Sequence, residues 1–216
     1  MSGYIADIEN DTLLYTESIN ATISDWSLKK SFVNISDVSL NNGHFHMRKY
    51  LGDSTLNFQH IVDYFASDEE DTTSSNFKIN VAKFNLNDFH FIYDDENSEP
   101  IKNGMDFAHL DIRHLSGEFS DFKMDKGAID VGLKGLVLQD KSGLRLTHLT
   151  SQLHYDSTII SLDNLKLGLY HSYIHADYLN FKTKNGAEDW GDFMNKVRIN
   201  SHLTKTKIYM SDLAYV

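Results

Sequence analysis

Apolar and polar positions alternate with a period of two along much of this chain, and at intervals the alternation slips by one residue. In "INVAKFNLNDFHFIY" (79–93) the apolar residues fall at 79 and 81, at 84 and 86, then at 89, 91 and 93. A period of two is the side-chain period of a strand. The spacing apolar-x-apolar-x-x-apolar-x-apolar recurs as Val33, Ile35, Val38, Leu40 and as Ile79, Val81, Phe84, Leu86. It returns as Val131, Leu133, Leu136, Leu138, as Ile160, Leu162, Leu165, Leu167 and as Ile174, Ala176, Leu179, Phe181. Two further copies depart at the fourth place: Leu110, Ile112, Leu115 are followed by Gly117, and Leu144, Leu146, Leu149 by Ser151. From residue 131 on, copies begin every 13 to 16 residues. The pattern predicts a degenerate β repeat, not one of the helical repeats.

A slip of one residue would turn the apolar set to the other face of a sheet. A β-bulge absorbs the slip, keeps both halves on one face, and bends the strand. Alternatively, each slip is a corner between two short strands of a sandwich, and spacing alone leaves both open. Turn chemistry falls between copies, at "NNG" (41–43), "DKG" (125–127), "KSG" (141–143) and "KNG" (184–186). The one proline, Pro100, lies in the polar stretch "DDENSEP", so proline-free strands are permitted elsewhere.

Two segments switch to a helical period. "STLNFQHIVDYFAS" sets Phe58, Ile61, Val62 and Phe65 on one helical face with Ser54 as N-cap, and "DWGDFMNKVRI" does the same with Trp190, Phe193, Met194 and Val197. These predict short amphipathic helices at about 54–66 and 188–198, plugging an open side or end of the sheet. Both are poor in Lys and Arg, which disfavours a membrane-surface role. "SDEEDTTSS" (67–75) has no apolar residue and predicts a solvated acidic loop.

Composition narrows the function classes. Among 216 residues, 31 are Asp or Glu and 20 are Lys or Arg, a net charge of −11. Phosphate binding needs a basic face, so nucleic acid is disfavoured as a partner. The absence of cysteine removes disulfides, thiol chemistry and cysteine zinc sites. No apolar run approaches the roughly 18–20 residues of a membrane helix, and the opening "MSGYIADIEND" is not a signal peptide.

Candidate chemistry is sparse. His44 and His46 share one strand face, as do His171, Tyr173 and His175; a His-x-His pair can chelate zinc, but no third ligand can be placed. The adjacent pairs Asp94, Asp95 and Glu69, Glu70 lie in polar stretches where desolvation cannot tune them for acid–base work. Neither G-x-S-x-G nor a glycine-rich phosphate loop is present. A binding protein is expected, with no enzyme activity, no metal and no cofactor. The least unsuitable enzyme reading, a parallel β-helix lyase, would need charged residues aligned on one outer face, and none align.

"DTLLYTESINATISDW" (11–26), "DSTLNFQHIVDYF" (53–65) and "TKIYMSDLAYV" (206–216) resemble the N-terminal part of TamB-type proteins of the Bacteroidetes group, within the AsmA-like, bridge-like lipid-transfer superfamily. The resemblance runs from about Tyr4 to Val216. It implies a mainly β fold: a strongly curved, mostly antiparallel sheet forming an open apolar groove, the β-taco, over residues 1–216 as one segment of a longer protein. It implies a periplasmic location, an inner-membrane anchor preceding the segment, and an outer-membrane barrel partner of the Omp85 type reached through a C-terminal region. The implied cargo is phospholipid, its acyl chains carried between the two membranes on a floor expected to include Val81, Phe84, Leu133, Leu136, Leu162, Leu165 and Ile174. The alternative is a structural or chaperone-like scaffold that assists barrel assembly by strand addition. A piece cut from a longer trough would self-associate through unpaired edges, expected at "YIADI" and "KIYMSDL"; "SDLAYV" is expected to carry no closing element.

Overall fold

The computed structural model describes residues 2–27, 32–60, 78–102, 104–125, 128–186, 189–190 and 193–214. Its described residues are mainly β. The strands are β1 (Gly3–Ala6), β2 (Thr12–Ser27), β3 (Phe32–Lys49), β4 (Lys78–Val81), β5 (Lys83–Asp95), β6 (His109–Asp125), β7 (Ala128–Asp140), β8 (Arg145–Tyr155), β9 (Ile159–Gly168), β10 (Tyr173–Lys182) and β11 (Arg198–Lys207). Their hydrogen-bonded order is β1-β2-β3-β5-β6-β7-β8-β9-β10-β11, with β4 beside β3, so the path is open at β1 and at β11. Pairing is antiparallel for β1–β2, β2–β3, β8–β9, β9–β10 and β10–β11, and parallel where β3 meets β4 and β5. A parallel neighbour requires a crossover. The long stretch between Lys49 and Lys78 supplies it.

Two compact units divide the chain. Met1–Ser116 with Gln139–Gly143 forms the first, and Gly117–Leu138 with Leu144–Ala214 the second. In the first, the buried apolar residues are Leu13, Leu40, Phe89 and Ile112; in the second, Val131, Leu133, Leu136, Leu146, Leu165 and Ala176. Most of them sit next to a slip in the repeat.

Most slips lie inside continuous strands; the one between Val81 and Phe84 falls at the break between β4 and β5, which both pair with β3 in the same sheet, so the sandwich-corner reading fails. The backbone enters the left-handed region in mid-strand at Asn42 (φ 49°), Asp88 (52°), His114 (54°), Asp121 (53°), Gly135 (64°) and Asn164 (53°). Asp88, His114, Gly135 and Asn164 each occupy the second of the two residues between apolar neighbours. Asn, Asp, His and Gly are the residue types that tolerate this conformation best. The register shift of β8 against β9 coincides with Asn164, and shifts of β2 against β3 and β10 against β11 mark further slips. Bulges bend and twist the strands that carry them.

Several expectations need correction. "NNG" (41–43) is not a hairpin turn but lies within β3, in one-for-one register with β2 and β5: Asn42 takes the left-handed conformation and Gly43 lies directly opposite Thr16. A Cβ on Gly43 would collide with the Tyr15 carbonyl oxygen and lie 2.7 Å from Phe89 Cζ, so glycine is there for close strand approach. Ser54 does not cap a helix, because residues 54–58 form bends and turns and helical backbone begins at Gln59. Asn57 is tied to β3 instead: its amide donates to the Arg48 carbonyl and its Oδ1 accepts from the Arg48 amide. The rest of that predicted helix, from Ile61, and the acidic loop 67–75 lie outside the described residues. The second predicted helix ends before 198: its described helical turn is Phe193–Lys196 and Arg198 already opens β11, while residues 187–188 and 191–192 lie outside the described residues. "KIYMSDL" supplies only Lys207 to an edge strand, and Met210–Leu213 forms a helical turn. Asp212 docks that turn by accepting from the backbone amides of His171 (2.9 Å) and Ser172 (2.7 Å).

Acidic residues close the turns. Asp7, Asp106, Asp140, Asp189 and Asp212 are buried; the first four each accept at least one backbone N–H from their own loop, and Asp212 accepts those of His171 and Ser172. Satisfied loop amides explain why so many carboxylates can leave water. Much of the acidic surplus is therefore structural.

Candidate functional site: the apolar face of the sheet

The register assembles cross-strand rows of apolar side chains on one face of each unit. In the first unit Ile19, Leu40 and Leu86 form a row, as do Ala21, Val38 and Phe84, and Leu14, Phe45 and Phe91. In the second, Leu153, Leu162 and Leu179 align; so do Leu149, Leu167 and Ile174, and Tyr155, Ile160 and Phe181. Leu162 and Leu165 flank left-handed Asn164, yet both project to this face, Leu165 facing Ala176. Without the bulge one of them would point to the opposite face.

The two incomplete copies of the repeat have structural reasons. Gly117 stands under Leu136, whose Cδ1 and Cα would lie 2.9 and 3.0 Å from a Cβ at that position. Ser151 is buried, and its hydroxyl donates to the Asp163 carbonyl (2.8 Å), the group displaced by the Asn164 bulge. This device recurs. Thr16 donates to Asn41 O (2.9 Å), Ser36 to Thr22 O (3.1 Å), Ser24 to Asn34 O (3.1 Å) and Thr204 to His175 O (3.2 Å). Conversely, Asp88 N donates to Ser116 Oγ (2.9 Å) and Gly135 N to Thr150 Oγ1 (3.1 Å). Hydroxyls on the adjoining strand thus satisfy backbone groups that bulges take out of the ladder. These Ser and Thr residues were missed in the sequence; a hydroxyl beside a slip was the available signal.

The residues expected to form a groove floor divide into two sets. Leu133 and Leu136 are each 9% exposed and Leu165 is 1% exposed, so protein atoms cover them. Phe84, Leu162 and Ile174 are half-buried on the same face, and Val81 is 39% exposed. The second set still has surface to offer a ligand. Ile19, within its row, is exposed, and further exposed apolar surface flanks the rows at Ile23 and Trp26 on β2 and at Ile199 and Leu203 on β11.

The opposite face is polar and hydrogen-bonded strand to strand. Asn87 donates to Asn41 (2.8 Å), which donates to Ser18 (2.9 Å). Histidines pair with aspartates: His46 with Asp94 (2.9 Å), His90 with Asp111 (2.7 Å), His114 with Asp88 (2.8 Å), His154 with Asp130 (2.7 Å) and His202 with Asp177 (2.7 Å). His171 does not share a strand with Tyr173 and His175; it lies in the turn before β10, its ring 3.2 Å from Asp212. Among the described residues no three His, Asp or Glu side chains are grouped to hold a metal ion. A shallow cavity of about 270 Å³ lies beside His154, Gln152 and Asp163. The Asp130 carboxylate raises the His154 pKa, against the opposing effect of burial.

The strongest polar cluster sits at one end of the first unit. Asp7 accepts from the amides of Glu9 (3.0 Å) and Asp11 (2.9 Å), from Asn57 Nδ2 (2.9 Å) and from Tyr50 Oη (2.8 Å). Burial opposes the Asp7 charge, but the bonds from Asn57, Tyr50 and the amides outweigh it and lower the pKa. Burial and the neighbouring Asp7 push Tyr50 up to about 12. Each oxygen of Asp7 is saturated by donors, which leaves none to take a substrate proton; the cluster ties β1, β3 and residue 57 together. No helix among the described residues is long and apolar enough to cross a membrane. No family model, curated protein or solved structure matches the chain.

Proposed function

We propose that the apolar face is a lipid-conducting surface, and that this chain is a groove segment of a TamB-type, bridge-like transfer protein. In this reading the protein works in the periplasm, is anchored to the inner membrane, meets an Omp85-type barrel and passes phospholipid between the membranes. The resemblance of 11–26, 53–65 and 206–216 supports the identity. The observation that carries the mechanism is the set of bulge-aligned rows in which Phe84, Leu162 and Ile174 keep part of their surface open.

Each CH₂ taken from water is worth about 0.8 kcal/mol, so an acyl chain of about 16 carbons faces a cost on the order of 12 kcal/mol in water. An aliphatic row repeated at each strand offsets that cost at every step. Similar rows make similar wells, so no one position traps the chain. Directional flow would come from an outside bias. Native mass spectrometry of the purified chain tests the reading through co-purified phospholipid. Leu162→Arg and Ile174→Arg test the surface, because a charge facing an acyl chain loses water without gaining a partner, at a cost of several kcal/mol. Loss of lipid adducts at photo-crosslinkers beside these positions supports the reading. Undiminished adducts in folded protein refute it.

The exposed strand edges favour a second reading, a scaffold that assists barrel assembly by strand addition. There the arginine variants would leave function intact, and proline in an edge strand would abolish it.

A further inference from the structure

At one end of the second unit the fold gathers cations and aromatic rings. The end of β9, the start of β10 and the end of β11 meet there, with the start of β8 beside them: Thr147 Oγ1 donates to Leu169 O (3.2 Å), and Tyr209 N to Ser172 Oγ (2.9 Å). A row of contacts crosses these strand ends. The Arg145 guanidinium lies 6.0 Å from the Tyr170 ring centre, Tyr170 meets His171 edge-on at 4.4 Å, His171 stands 5.8 Å from Tyr209, and Lys207 Nζ lies 4.8 Å from the Tyr209 ring centre. Lys207 pairs with Tyr173, and Lys205 Nζ lies 5.5 Å from that ring. Behind this row, Lys166, His175 and Lys205 align across β9, β10 and β11.

The same end exposes apolar surface. Tyr170, Ile208, Tyr209 and Met210 are 64%, 48%, 41% and 77% exposed. The segments that build it, 144–148, 168–173 and 205–214, hold a single acid, Asp212. That carboxylate is buried against the His171 and Ser172 amides and the His171 ring. Among the described residues no carboxylate forms an ion pair with Arg145, Lys166, Lys205 or Lys207. In a chain of net charge −11 this is a local reversal of sign. Tyrosine rings and exposed apolar chains collared by Lys and Arg match a membrane–water interface, where rings lie at headgroup level and cations reach the phosphates. A soluble polyanion would engage the cations and leave Ile208 and Met210 without a role.

We propose that this end of the second unit docks on the surface of a bilayer containing anionic phospholipid. Tyr170, Ile208, Tyr209 and Met210 enter the headgroup layer, and Arg145, Lys205 and Lys207 meet lipid phosphates. The acidic remainder of the chain does not prevent this. At physiological ionic strength charge is screened over about 8 Å, so cations touching the surface act while carboxylates farther from it are screened. Each base beside such a surface strengthens binding about fivefold. The inference does not rest on lipid carriage: a chain that ignores vesicles would overturn it and leave the groove reading standing.

The test is co-sedimentation of the full chain with vesicles of phosphatidylcholine alone and of phosphatidylcholine with phosphatidylglycerol. Binding is expected to be at least tenfold tighter to the anionic vesicles and to weaken as salt rises. Lys205→Glu with Lys207→Glu is expected to weaken it at least tenfold, and Ile208→Ser with Met210→Ser to weaken it while keeping the salt dependence. Circular dichroism confirms that each variant is folded; Arg145→Glu alone, on another strand, serves if the β11 pair is not. Because the chain has no cysteine, Ser211→Cys and Lys182→Cys place one polarity-sensitive fluorophore at this end or at the opposite end of β10. A blue shift on anionic vesicles is expected at position 211 and not at 182. No binding, equal binding to neutral vesicles, folded variants that bind as the parent does, or equal shifts at both labels would each overturn the proposal. Binding to dextran sulfate without binding to vesicles would overturn it too, by assigning the cations to a soluble polyanion.

Discussion

At the scale of single residues, the sheet depends on small polar side chains placed where the ladder is interrupted. Ser151 and Thr16 are 2% and 0% exposed, and their hydroxyls donate to the carbonyls of Asp163 and Asn41, next to left-handed Asn164 and Asn42. Removing such a donor leaves a buried acceptor unsatisfied, at about 1–3 kcal/mol. Ser151→Ala and Thr16→Val are therefore expected to lower the unfolding free energy by about that amount, while Thr16→Ser retains most of the stability. Ser24→Ala makes the matched control: its bond to Asn34 O is exposed, so a change within about 0.5 kcal/mol is expected. Chemical denaturation of the four variants checks this. Equal losses at buried and exposed sites would count against the bulge-satisfaction account. Asn57 belongs to the same class, since it is buried and bonds Asp7, Arg48 and the His46 carbonyl. Its importance could not be read from the sequence, where it sits inside a helix-like apolar spacing.

At the scale of the element, the slip spacing named the strands, and the residue in the second slip position determines how the slip is made. Asp88, His114, Gly135 and Asn164 hold positive φ between apolar neighbours. Nothing lies within 4 Å of a Cβ built on Gly135, so Gly135→Ala tests backbone strain without a clash. A cost of about 1–2 kcal/mol is expected, and less for Gly135→Asn. Gly43→Ala, opposed by the Tyr15 carbonyl and the Phe89 ring, is expected to cost more than either. Thermal melts rank the three, and the reverse order would refute this division. The strand pattern, the apolar face and the bulges were legible because a half-buried strand writes its period into the sequence. The place of "NNG" within β3 was not, since Asn-Gly has the same local preference for left-handed backbone in a hairpin turn as in a kinked strand. Nor was the division of the groove residues. Leu162 and Leu165 are alike in the repeat, and only tertiary packing buries Leu165 while leaving Leu162 part-exposed. Leu165→Ala is thus expected to destabilise by about 2–5 kcal/mol, with Leu162→Ala at the low end or below, in the same denaturation assay.

At the scale of the whole molecule, acidity acts on the fold in two opposing ways. The net charge of −11 makes the folded protein repel itself at neutral pH, and titration toward the isoelectric point near 5.3 relieves that repulsion. Below it, the turn carboxylates dominate. The amides and hydroxyls around Asp7, Asp106, Asp156, Asp189 and Asp212 hold their pKa values below 3.8, with Asp212 brought down to about 2 by the Ser172 side chain and the loop amides. A carboxylate with a depressed folded pKa binds fewer protons folded than unfolded between those values, so stability rises with pH there. Its contribution is complete above 3.8 and disappears as pH falls through the folded value, near 2 for Asp212. The histidines act higher and against each other. Burial, with His90 and His46 nearby, lowers His44, so folding loses stability as pH falls below 6.5. Asp130 raises His154, so its contribution is present below 6.5 and lost as pH rises through the raised value. A steep acid limb between about pH 4 and pH 2 is expected, with a shallow profile above it. Asp212→Asn should flatten that limb, because the group that titrates is gone. Salt separates the two electrostatic effects: it should screen the neutral-pH self-repulsion strongly and the buried turn carboxylates weakly. Melting temperatures by circular dichroism across this range, in low and high salt, provide the measurement. An acid limb that high salt abolishes, or that Asp212→Asn leaves equally steep, would show that net charge and not the turn carboxylates governs acid unfolding.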